Sequence, residues 1–115
     1  MIVPKVIGRQ GQAKVAAAQS DLKTLSDALR MFRLDNDRYP TTEEGLNALR
    51  VAPSDAKNWR NPYIEKDVPL DPWGHPYDYE SPGNNGQDSF ILRSLGADGQ
   101  QGGEGDAADI VEGDQ

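Results

Sequence analysis

VIGRQGQAKVAAAQSDLKTLSDALRMFRLDNDRY, residues 6–39, decides the architecture. Val15, Ala18, Leu22, Leu25, Leu29 and Phe32 step by three and four, so they line one face of an α-helix. Pro4 sits where a helix can begin, because the first turn leaves its backbone donors unbonded anyway. Gly8 and Gly11 weaken the first turns, and the stripe thins there, so residues 5–14 are expected to be exposed. The residue before a proline avoids helical dihedrals, so Tyr39-Pro40 should stop the helix near Asn36. The reading is one long helix over 3–37, packed along its later turns and projecting as a stalk at its start.

Beyond it, Thr41 and Glu44 have the spacing of a capping box, in which each side chain bonds the other's backbone N–H. This predicts a short helix over 41–50, with Leu46 and Leu49 toward the core and Pro53 beyond its end. Residues 51–73 read as an irregular loop. Four prolines between 53 and 72 forbid regular structure, and Trp59, Tyr63 and Ile64 can anchor it. Within it, DPWG (71–74) reads as a turn. The Asp71 carboxylate bonds its own backbone, Pro72 sets φ, Gly74 takes a left-handed conformation and Trp73 lies on the core. HPYDYES and DSFILRS then alternate Tyr77 with Tyr79 and Phe90 with Leu92 across PGNNGQ, which predicts a β-hairpin over 75–94. A hairpin alone is marginal, so it must pack on the helix stripe. The fold class is α+β, with residues 1–115 forming a single domain.

The chain carries 12 basic against 19 acidic side chains, a net charge of −7, distributed unevenly. Six Lys and Arg face two Asp in residues 1–34, whereas seven acids face Arg93 alone in residues 88–115. An acidic domain repels a phosphate backbone, so nucleic acid is a poor partner. The basic stalk is either a solvated helix face or one half of a charge-complementary contact. With no cysteine, neither a disulfide nor a thiolate metal site is available. The opening apolar run, MIV, is far shorter than the roughly 20 residues of a spanning helix.

Catalytic chemistry finds little to work with. His75 is the only histidine, it lies in a turn between Gly74 and Pro76, and no nucleophile elbow accompanies it. The pairs Asp35/Asp37 and Glu43/Glu44 fit helix ends better than acid–base work. The expectation is that the protein is not an enzyme. A calcium-dependent hydrolase fragment would need a nucleophile geometry that the chain does not offer.

One stretch remains, SLGADGQQGGEGDAADI, residues 94–110. Asp98, Glu104, Asp106 and Asp109 alternate with glycines, which let a chain curl its carbonyls inward. A hard cation wants six to eight such oxygens. The spacing is not that of an EF-hand, and a solvated acidic tail has the same composition. Ile110 and Val111 favour order, because they can dock the far end on the core.

Taken together, YPTTEEGLNAL, DPWGHPYDY, SLGADG and the pair GG followed by ADI resemble, in order, the major pseudopilins of bacterial type II secretion systems. The upstream helix resembles that family too, so the likeness runs from Val3 to about Ile110. It implies a pilin-like fold, a long N-terminal helix on a small antiparallel sheet with a C-terminal calcium loop. It also implies that this domain lies in the periplasm and follows a hydrophobic segment held in the inner membrane. That segment follows a leader cut by a prepilin peptidase, and the mature N-terminus is methylated. On this likeness the present sequence starts at the end of the span, with Met1 as an added initiator. The implied function is a structural subunit polymerising into the pseudopilus that exports folded proteins. The partners would be its own copies, minor pseudopilins, the inner-membrane assembly platform and exoprotein cargo. Carried over by position, the calcium ligands would be the side chains of Asp98, Asp109 and Asp106 and the carbonyls of Leu95 and Gln100, with Glu104 and Asp88 as weaker candidates. The tail VEGDQ departs from the family by lacking a tryptophan soon after ADI. The alternative is a type IV pilin-like filament subunit for adhesion or uptake, but those usually staple their C-terminal region with a disulfide.

Overall fold

A computed structural model describes residues 9–54, 56–59, 62–83, 88–96 and 110–113. The first element, α1, is a 28-residue helix, Arg9–Asn36, about 42 Å long at 1.5 Å per residue. Its stripe is the core. Ala18, Leu22, Leu25, Leu29 and Phe32 are all at most 2% exposed. Before Ala18 the helix leaves the head, with Arg9, Gln12, Ala13 and Lys14 exposed and Val15 half-buried. Residues 3–8 of the expected helix lie outside the described residues.

The helix stops through local chemistry. Asp37 takes φ 60 and its N–H donates to the Arg33 carbonyl at 2.8 Å, a left-handed cap that satisfies a carbonyl of the last turn. The Asn36 amide adds a bond to the Phe32 carbonyl at 3.0 Å.

The capping box at Thr41 and Glu44 forms in both directions, at 2.8 and 3.1 Å, but it does not open the α-helix expected over 41–50. It closes a single turn, after which Gly45 takes φ 65 and ψ −167, a region open in practice only to glycine. The chain then resumes as a 3-10 helix, Leu46–Leu49, with Leu46, Ala48 and Leu49 buried. The irregular stretch that follows is pinned from inside. The Trp59 indole N–H donates to the Ala48 carbonyl at 2.8 Å, and Tyr63 meets the ring of Phe32 edge-on at 5.6 Å.

The sheet has three antiparallel strands: β1 Asp78–Glu80, β2 Ile91–Ser94 and β3 Ile110–Gly113. The hairpin partners are in place, with Tyr79 opposite Leu92. Its strands are shorter than the 75–94 span suggested, and it is extended by a third strand within what read as an acidic tail. β2 is central, and Ser94 pairs with Ile110. α1 lies against β2 and β3, and Phe90 and Leu92 are fully buried in the core it shares with Tyr77 and Tyr79. Trp73 differs from expectation. It is half-buried and stands outside the core cluster.

Candidate functional site

The 94–110 stretch leaves the sheet at the end of β2 and returns at the start of β3. Because Ser94 and Ile110 are paired, its two ends are held side by side. Leu95 is half-buried and Gly96 buried. Gly96 turns the chain with φ 80, a left-handed value that suits glycine. Of the expected ligands, Leu95 falls on the described part, as does the weaker candidate Asp88. Asp98, Gln100, Asp106 and Asp109, and also Glu104, lie outside the described residues.

Beneath this root sits the DPWG turn. Asp71 is 3% exposed, and its carboxylate is fully engaged. Oδ1 accepts the backbone N–H of Trp73 at 3.0 Å and of His75 at 2.8 Å, the turn anticipated from sequence. Gly74 supplies the left-handed residue at φ 86. Oδ2 looks away from the turn and accepts the Ser94 hydroxyl proton at 2.8 Å. The Ser94 oxygen in turn accepts the Gly96 N–H at 3.3 Å. This chain of bonds was not legible beforehand. Asp71 and Ser94 stand 23 positions apart, and only the folded sheet brings them together.

Several other titratable groups among the described residues sit in structural pairs. Arg33 forks the Asp88 carboxylate through Nε at 2.6 and 2.7 Å and through Nη2, which lowers the Asp88 pKa, chiefly by hydrogen bonding. Asp88 is therefore tied to α1, which leaves it a poor candidate for a cation in the loop. Arg38 holds Glu44 at 2.7 and 3.1 Å and lowers its pKa in the same way. Arg93 lies between Asp78 and Glu80 on the neighbouring strand. Burial, with Asp21 accepting its hydroxyl proton at 2.8 Å, pushes the Tyr77 pKa up. Burial also pushes up that of Tyr79. On α1, Asp27 lies between Lys23 at 3.8 Å and Arg30 at 3.7 Å, on an exposed face. Among the described residues no three His, Cys, Asp or Glu gather as a metal cluster, and no helix is long and apolar enough to cross a membrane.

Residues 5–113 match the family model described as type II secretion system (T2SS), protein G. The chain is 47% identical over 113 residues to the type II secretion system core protein G of Pseudomonas aeruginosa, covering 96% of this chain and 78% of that protein. It is 46% identical to the protein of the same name from Vibrio cholerae, covering 95% of this chain and 75% of the relative. The crystal structure of the major pseudopilin from the type 2 secretion system of enterohaemorrhagic Escherichia coli superposes with a TM-score of 0.75. It is 38% identical, and the match covers 96% of each chain. The chain thus belongs to the type II secretion system protein G family, the major pseudopilins, which are structural subunits and not enzymes.

Proposed function

We propose that this chain is the repeating subunit of a pseudopilus, a periplasmic fibre whose growth moves folded proteins across the outer membrane. The observation that carries the reading is α1. Its stripe is buried from Ala18 onward while its earlier turns stand clear of the head, in a fold shared with the Escherichia coli major pseudopilin. Such a helix suits a filament in which the helices of successive subunits pack along a common axis and the heads lie outside. In the full-length subunit, a hydrophobic segment with a methylated N-terminus precedes the stalk and holds it in the inner membrane until assembly, with this domain in the periplasm. Its partners are further copies of itself, the minor pseudopilins, the inner-membrane assembly platform and exoprotein cargo. The basic stalk and acidic head then give neighbouring subunits complementary charge.

The 94–110 stretch holds calcium in this reading. Its donors are all oxygen: the carboxylates of Asp98, Asp106 and Asp109 and the carbonyls of Leu95 and Gln100. With no thiol or imidazole among them, they suit a hard cation and not zinc. The Ser94–Ile110 pairing supports the fit, because it fixes both ends of the stretch. When bound, the cation supplies the positive charge that three neighbouring carboxylates require. Without it their mutual repulsion works against the closed loop. The role of the chain is to keep those oxygens converged and the outer surface in one shape for the next subunit.

Complementation tests the function. Residues 3–115, joined behind a relative's leader and hydrophobic segment, should restore exoprotein secretion and fibre formation in a bacterium lacking its own major pseudopilin. Stable, correctly processed protein with neither fibres nor secretion would refute it.

A further inference from the structure

The geometry points to Asp71 as a positioning residue for the calcium site, acting through Ser94 to aim the Leu95 carbonyl; this deepens the calcium reading above and rests on it. The Asp71 carboxylate has two separable duties. Oδ1 alone completes the DPWG turn, since it takes both backbone donors, Trp73 and His75. An asparagine side chain could do as much. Oδ2 has no part in the turn. It faces the end of β2 and accepts from Ser94, and both residues are almost wholly buried.

What Ser94 does with its own oxygen gives the link its purpose. Donating to Asp71 fixes the hydroxyl, and the lone pairs left over receive the Gly96 N–H. That N–H belongs to the peptide plane joining Leu95 to Gly96. In a trans peptide the carbonyl points opposite to the N–H. Tying the N–H down toward the buried Ser94–Asp71 pair therefore turns the Leu95 carbonyl away from it, toward the opposite side of the chain. The left-handed bend at Gly96 is held by the same bond. A carbonyl aimed in advance does not have to be ordered when a cation arrives, and the outer partners of metal ligands contribute in this way.

Two variants divide the duties. Asp71→Asn keeps an Oδ1 acceptor for the turn but presents a donor to Ser94. Ser94→Ala leaves the turn intact and removes both bonds at the root of the loop. Calcium titration by calorimetry should show affinity falling by about tenfold or more in each variant, and calcium should raise the melting midpoint of each variant by less than it raises that of the wild type. Unchanged affinity in a folded variant would overturn the assignment. So would equal losses of melting temperature with and without calcium, the mark of a purely structural bond. Should Ser94→Ala not fold, Asp71→Asn decides by the same two measurements. A wild-type protein that takes up no calcium would refute the underlying reading before any variant is compared.

Discussion

Asp37 occupies the left-handed region at the end of α1, a conformation that costs an L-residue with a side chain more than glycine. Its carboxylate also sits at the negative end of the helix dipole. Asp37→Gly should therefore raise stability by roughly 0.5–1 kcal/mol, despite glycine's greater freedom in the unfolded chain. Urea unfolding that shows no gain would mean that Asp37 makes a compensating interaction. Gly45 shows the converse. A Cβ there would meet only the Thr42 carbonyl, at 3.7 Å, yet its φ of 65 strains any other residue whatever the space. The sequence signals were unequal at this scale. Thr41 and Glu44 announced their reciprocal bonds, and Asp71 announced its turn. The second oxygen of Asp71 announced nothing, because its partner comes from another element.

Elements were legible where a pattern repeats. α1 carries its stripe over four turns, from Ala18 to Phe32, and the hairpin shows Tyr79 and Leu92 on matching faces. β3 carries no such repeat. Glu112 and Gly113 are poor strand formers, so the strand owes its place to pairing with β2, which no local pattern reports. The 41–50 segment misled for a different reason. A capping box specifies how a turn begins, whereas Gly45 specifies how soon it ends. The Arg38–Glu44 pair that braces this turn should leave a signature in acid. Its folded-state pKa lies below the ordinary value of 4.5, chiefly through the Arg38 hydrogen bond. The stabilisation is therefore present above about pH 4.5 and lost as pH falls through the lower, folded value. Glu44→Gln should be less stable than the wild type at neutral pH, and that difference should shrink below about pH 4.5. A gap that stays constant down to pH 3 would remove the ion pair as its cause.

At the scale of the whole molecule, a helix on a three-stranded sheet carries an acidic stretch with no covalent staple, since the chain has no cysteine. A cation in the 94–110 stretch would supply the missing constraint. The melting midpoint should accordingly rise when calcium is present at a large excess over its dissociation constant. At a hundredfold excess the gain is about 2.7 kcal/mol, and identical midpoints in calcium and EGTA would refute a structural metal. The strand pair Ser94–Ile110 carries a consequence of its own. Because the sheet clamps both ends of the stretch, lengthening it costs little, with each doubling of a flexible loop adding only about 0.6 kcal/mol. The run between Gln100 and Asp106 holds none of the three carboxylates assigned to calcium. It is thus the part of this chain where evolution or an engineer could insert residues most cheaply, while the paired strands that clamp its ends stay as they are.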